Sequence, residues 1–225
     1  MTKRAVVLLS GGLDSATALY WAGRRGYQTS ALSVDSGQRH PRELESARRL
    51  ARAAGADLTT ITLSLPWLPG STSLVGGRKP LPDIPLGRIG RNGVPSTYVP
   101  GRNTVFLSLA LSFADARDAQ AIVIGANTLD SSGYPDCRPA YLRAFEKTAR
   151  LGSRAGARRR PLRILAPLLR LNKRGIVKLA MRLGVPLEKT WSCYRGGNEP
   201  CRRCDSCKLR AKGFDEAAHK DPLVD

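Results

Sequence analysis

The chain has 225 residues and an ordinary apolar fraction of 42%, enough for one sizeable α/β core plus a small appendage, and no apolar run approaches the roughly 18 residues of a membrane span. Lysine and arginine total 37 against 18 acids, a formal net charge of +19, which favours anionic ligands such as nucleotides, polyphosphates or nucleic acid. With 6% aromatic residues there is little material for a base-stacking platform, and the N-terminus runs into a strand without a cleavable leader, so the expected location is cytoplasmic.

Ala5 to Leu9 reads as a short buried strand and Ser15 to Trp21 as a helix. Between them lies "SGGLDS", in which Gly11 and Gly12 allow positive φ and close backbone approach. The free N–H groups at the helix start face the turn, and the helix dipole adds positive potential. This describes an anion site. It lacks the wider glycine spacing and the Lys-Ser or Lys-Thr pair of the Walker loop. The plainer alternative is a Gly-Gly turn with Asp14 as helix N-cap.

The strand-helix rhythm then repeats. "TSALSVD" is a strand, and "PRELESARRLARAAG" a helix with Pro41 near its first turn, Leu44, Ala47, Leu50, Ala51 and Ala54 on one face, and Gly55 as the stop. "DLTTITL" is a third strand. Residues 66 to 102 carry seven prolines, which exclude a long helix or a central strand; a connection of this length is either functional or disordered.

Order resumes in the apolar helix "NTVFLSLALSFADARD" and the β-branched strand "AIVIGAN". A weaker strand, "RILAPL", precedes the helix "NKRGIVKLAMRLG", with Asn172 as N-cap, Ile176, Leu179, Ala180 and Leu183 inward, and Gly184 as C-cap. The fold class expected is α/β, a doubly wound, mainly parallel sheet. In such sheets ligands bind beyond the carboxyl ends of the strands. Ser10 to Ser15, Asp35 to His40 and Asn127 to Arg138 all fall on that rim. The run Arg158-Arg159-Arg160 lies in a Gly- and Pro-bounded loop and reads as solvated surface or as an RNA contact.

Four of the five cysteines, Cys193, Cys201, Cys204 and Cys207, follow a Cys-x7-Cys-x2-Cys-x2-Cys spacing. Four thiolates close a tetrahedral shell with no open position, which describes structural zinc. A redox pair or an iron–sulfur cluster is the alternative, although the redox reading leaves two cysteines unexplained.

"SGGLDS" resembles the pyrophosphate loop of the ATP-pyrophosphatase superfamily. Together with "VDSGQRH", "STYVPGRN", "GANTLDSSGYPDCR", "NKRGIV" and the cysteine cluster, it makes nearly the whole chain resemble the family of 7-cyano-7-deazaguanine synthases. The resemblance implies an adenine nucleotide α-hydrolase-like domain over 1–185, with 66–100 as a lid or insertion, and a four-cysteine zinc-binding region over 186–225. It implies an enzyme that uses ATP and Mg²⁺ to convert 7-carboxy-7-deazaguanine and ammonia into the nitrile through adenylated intermediates, and a homodimer.

By this resemblance Ser10, Gly11, Gly12, Leu13, Asp14, Ser15, Ala16 and Thr17 hold the nucleotide, with Asp14 placing Mg²⁺. Asp14, Arg102 and Lys173 serve catalysis, Arg102 and Lys173 as contacts to phosphate or the substrate carboxylate. By position, Arg39 is a further candidate for phosphate or the substrate carboxylate, Asp130, Tyr134 and Asp136 are candidates for the deazaguanine or for magnesium, Arg138 is a substrate candidate, and Cys137 is a small core or cleft residue rather than a nucleophile. Ser36 stands where the family commonly has tyrosine. That departure and the high charge suit a relative with another amine acceptor, on a protein, or a tRNA-modifying enzyme with nucleic acid as partner, in which a cysteine carries sulfur.

Overall fold

A computed structural model describes residues 2–37, 41–77, 79–90, 93–128, 133–160 and 162–224. Five strands, β1 (Lys3–Leu8), β2 (Tyr27–Asp35), β3 (Asp57–Thr62), β4 (Ala121–Val123) and β5 (Arg163–Leu165), form one parallel sheet in the order β3-β2-β1-β4-β5. β1 is central, and from Ala5 to Leu8 it is buried on both faces, which is why that part reads as an unbroken apolar run.

Alternate residues of β1 feed two layers. Ala5 and Val7 pack under α1 (Leu13–Arg24), α2 (Arg42–Ala53), α6 (Lys173–Leu183) and α7 (Asp205–Glu216). Val6 and Leu8 pack under α3 (Arg102–Ala116) and α4 (Pro139–Leu151). A short α5 (Arg154–Ala157) follows, and the three arginines after it are exposed.

Several expected boundaries appear where local chemistry set them. Asn172 accepts the Gly175 N–H at 2.9 Å, and Gly184 closes α6 at φ 73°. Gly55 follows the end of α2 at φ 64°. The strand expected over 121–127 pairs only to Val123, because the chain then bends across the start of α1. α4 and α7 had not been expected. α7 matters most, since Phe214 and Ala217 enter the same core as β1, so the cysteine region rests directly on the main sheet layer.

The proline-rich connection has no strand pairing beyond isolated bridges and only one helical turn, Leu86–Arg88, among its described residues. It is nevertheless packed. Leu68, Val75 and Val99 form a small buried cluster, and Ser73 N–H donates to Ser96 O at 2.9 Å.

Candidate active site

The strand order reverses beside β1, where the segments leaving β1 and β4 diverge and open a crevice. A cavity of about 290 Å³ lies there, lined by the loop after β1, the starts of α2, α3 and α6, the proline-rich segment and residues 191–210.

The loop after β1 is held from behind. The Gly11 carbonyl accepts from the Ser46 hydroxyl at 2.7 Å and from the Trp191 N–H at 2.9 Å. Gly11 has φ +86°, and a Cβ there would stand 2.2 Å from the Glu43 carbonyl oxygen. Gly12 differs from the sequence expectation: it is the N-cap of α1 at φ −78°, it lines the cavity, and a Cβ there would meet only Ser10 Oγ and the Trp191 carbonyl oxygen, each at 3.6 Å. Ser10 and Ser15 face each other, their hydroxyl oxygens 3.1 Å apart. Leu13 lines the cavity with them, whereas Ala16 and Thr17 are fully buried and do not; the Thr17 hydroxyl donates back to Leu13 O at 2.7 Å.

Asp14 is not a helix cap. It sits in the first turn of α1, and its carboxylate receives Lys173 Nζ at 2.7 and 2.6 Å and Asn127 Nδ2 at 2.8 Å. Three distant segments thus meet at one carboxylate. Gly125 permits the approach, since a Cβ there would stand 2.9 Å from the Asp14 carbonyl and the Ser15 nitrogen.

Arg102, the first residue of α3, also lines the cavity, as does Tyr134, whose hydroxyl is 2.7 Å from Thr97 Oγ1. Burial raises the Tyr134 phenol above its ordinary range. Asp136 is buried outside the lining: it accepts the Asn103 N–H at 3.1 Å and so satisfies a free donor at the start of α3. Arg138 is exposed ahead of α4 and does not reach the cavity. Arg39, Asp130 and the neighbouring Gln38 and His40 lie outside the described residues.

Cys137 lines the cavity, and burial pushes its thiol up to about 11, so it stays protonated at neutral pH. Ser36 is buried in the lining. Glu43 had not been singled out from the sequence. It lies in the first turn of α2, lines the cavity, and burial raises its carboxyl to about 7 against the opposing pull of Arg102. The signal for it was present: Glu43, Ala47, Leu50 and Ala54 fall at i, i+4, i+7 and i+11, so an acid occupies the buried stripe. Trp191, Tyr194 and Arg210 were also missed.

The Sγ atoms of Cys193, Cys201, Cys204 and Cys207 lie within 4.8 Å of one another. A tetrahedral ion with Zn–S bonds of about 2.3 Å places sulfurs roughly 3.8 Å apart, and Cys201 and Cys207 are already 4.0 Å apart. Backbone N–H groups of Arg195 and Cys201 point at Cys193 Sγ at 3.4 and 3.3 Å, as thiolate ligands require. Cys204 caps α7, and Cys207 lies in its first turn.

A glycine loop and helix start at the switch point of a five-stranded parallel sheet with helices on both faces define a doubly wound α/β fold. A solved 4-thiouridine synthetase–RNA complex with bound ATP shares it, at TM-score 0.52 and 20% identity over 96% of this chain and 50% of that one. Residues 4–218 match the family described as "Queuosine biosynthesis protein QueC". The chain is 53% identical over 234 residues to a 7-cyano-7-deazaguanine synthase from an Anaeromyxobacter species, covering 99% of this chain and 96% of that protein. It is 48% identical over 221 residues to the one from Thermoplasma acidophilum, covering 98% and 91%. The chain belongs to this family of 7-cyano-7-deazaguanine synthases, ATP-dependent ligases of queuosine biosynthesis.

Proposed function

We propose that the chain binds ATP over Ser10 to Ser15 and uses it twice on 7-carboxy-7-deazaguanine. A carboxylate is a poor acyl donor, because its oxygen is a poor leaving group. In the first activation that oxygen attacks the α-phosphorus, the bond to the β-phosphate breaks, and pyrophosphate departs. Ammonia then adds to the acyl adenylate, AMP leaves with the former carboxylate oxygen, and one proton is lost to give the amide. In the second activation the amide oxygen attacks the α-phosphorus of a new ATP, pyrophosphate departs again, and loss of AMP with the amide oxygen together with the two N–H protons leaves the nitrile. No protein nucleophile is needed.

The observation that carries this reading is the meeting of Asp14, Lys173 and Asn127 beside the open N–H groups of α1, on the wall of a single cavity. Lys173 and Arg102 supply positive charge for pentavalent phosphorus and departing pyrophosphate. Asp14 is the hard oxygen ligand that would hold Mg²⁺ with the phosphates. When bound, that ion neutralises phosphate charge. The four cysteines would hold zinc, which contributes folding energy and no chemistry.

The segment 66–100 serves as a lid. Leu74, Val75 and Val99 form one cavity wall, and Asp83 accepts from Lys208 Nζ at 2.5 Å and Arg203 Nε at 3.2 Å, tying the segment to the cysteine region. Excluding water protects an adenylate that must wait for ammonia. No helix among the described residues is long and apolar enough to cross a membrane; the partners are small molecules of the cytoplasm, and the assembly is a homodimer, which light scattering checks. The high thiol pKa of Cys137 argues against a sulfur-carrying tRNA enzyme.

Exchange of labelled pyrophosphate into ATP, without ammonia, tests the adenylate. Exchange that depends on 7-carboxy-7-deazaguanine is expected; exchange indifferent to it overturns the sequence of steps.

A further inference from the structure

Among the described residues only two carboxylates line the cavity, those of Asp14 and Glu43. Asp14 already has protein donors, Lys173 on both oxygens and Asn127 on one, and it is the group placed for Mg²⁺ at the phosphates. The other acids near the rim are committed too: Asp136 to the Asn103 N–H and Asp35 to the Gly37 N–H at 3.1 Å. Glu43 is different. No hydrogen bond from a described residue reaches its carboxylate, although it stands in the cavity wall within electrostatic reach of Arg102 and Tyr194. Its place is rigid, because its own carbonyl packs against Gly11 with no room for a Cβ between them.

A half-buried carboxylate that faces a cavity with no donor from a described residue is free to accept from a ligand there. The phosphates of ATP offer none. The pyrimidine ring of a deazaguanine offers two parallel ones, N1–H and an N–H of the 2-amino group, spaced to meet the two oxygens of one carboxylate. We propose that Glu43 is the acceptor for this donor pair and so sets which way the base lies, turning the 7-carboxylate toward the anion loop. Arg102 beside it supplies a donor suited to the neighbouring O6. Tyr194 and Trp191 line the same space and give apolar faces for the ring. The raised carboxyl pKa of Glu43 agrees with an acid that waits for its partners, since donated N–H bonds restore the ionised form. This inference rests on 7-carboxy-7-deazaguanine being the molecule in the cavity.

The test compares that substrate with its 2-deamino analogue, 7-carboxy-7-deazahypoxanthine, in the full-length enzyme with Mg²⁺ and ammonium, alongside ATP binding. The native enzyme should show KM for the analogue raised on the order of 10²-fold. Glu43→Gln should raise KM for the substrate by a similar factor and lose most of the discrimination, with ATP affinity unchanged. Glu43→Asp, should the glutamine variant fail to fold, should retain the preference for the 2-amino group in weakened form. Native enzyme that treats both bases alike overturns the proposal. So does Glu43→Gln that keeps the discrimination, or that lowers kcat at unchanged KM, as a proton acceptor would. Discrimination lost in Asp130→Asn and kept in Glu43→Gln overturns it as well. Absence of nitrile from the native enzyme and the unaltered substrate would instead strike the reading of the function itself.

Discussion

Exchanging Gly11 for alanine, and separately Gly12, tests how the anion loop is built, because the adjacent glycines are there for different reasons. At Gly11 the φ of +86° costs an L-residue about 1–2 kcal/mol. The new Cβ would also stand 2.2 Å from the Glu43 carbonyl oxygen and 2.9 Å from the Ala47 nitrogen, both backbone atoms of α2. Overpacking of that kind costs about 1–3 kcal/mol more, giving a loss of about 2–5 kcal/mol from a total of about 5–15. At Gly12 the φ is −78° and the nearest atoms are 3.6 Å away, so the fold should change by about 0.5 kcal/mol or less. Its methyl group projects into the phosphate space and should weaken ATP binding instead. Urea unfolding followed by tryptophan fluorescence reads the first effect and ATP titration the second. A lowered midpoint at unchanged slope is expected for Gly11→Ala alone. Equal midpoints, or the larger loss at Gly12→Ala, would refute the backbone geometry described.

Asp14→Asn should fold with only a small loss, because the Asp14–Lys173 pair is partly solvated, at 23% and 15% exposure, yet slow pyrophosphate exchange about 10²- to 10³-fold; near-native exchange removes Asp14 from the chemistry. Purified protein should carry about one zinc per chain, and Cys204→Ser or chelation should lower the unfolding temperature; iron, or full activity without metal, contradicts the assignment. Arg210, fully buried, grips Asp221 at 2.7 and 2.8 Å. Arg210→Ala should therefore cost about 3–5 kcal/mol by stranding the acid, measured by denaturant unfolding, and Asp221→Ala added to it should recover part of the loss. Protease cleavage within 66–100 should slow when substrate and a non-hydrolysable ATP analogue bind, and quicken in Asp83→Ala; equal rates with and without ligands speak against a lid.

What could be read directly in the chain was chemistry settled within one turn or one loop. The Asn172 cap, the Gly184 stop, the glycine-bounded anion loop and the cysteine spacing each depend on neighbours in sequence. What escaped depends on partners far along the chain. Asp136 looked like a ligand-reading acid and turned out to satisfy the start of α3, because nothing within its own segment names Asn103 as its neighbour. Glycine pairs look alike in sequence, and only the packing of α2 on Gly11 separates Gly11 from Gly12. α7 was hidden because its first turn is written in ligand residues: the spacing of "CDSC" speaks of a metal and not of a helix, although Cys204 is also a helix cap. Glu43 lay on a legible apolar stripe but needed the cavity to give its charge a meaning.

The most direct test is to incubate the protein with ATP, Mg²⁺, ammonium and 7-carboxy-7-deazaguanine and to identify the product by mass. The expected result is 7-cyano-7-deazaguanine, with two equivalents each of AMP and pyrophosphate per nitrile and the amide as a transient. Release of ADP, or an adenylated base that ammonia leaves unchanged, would contradict the activity assigned to this site.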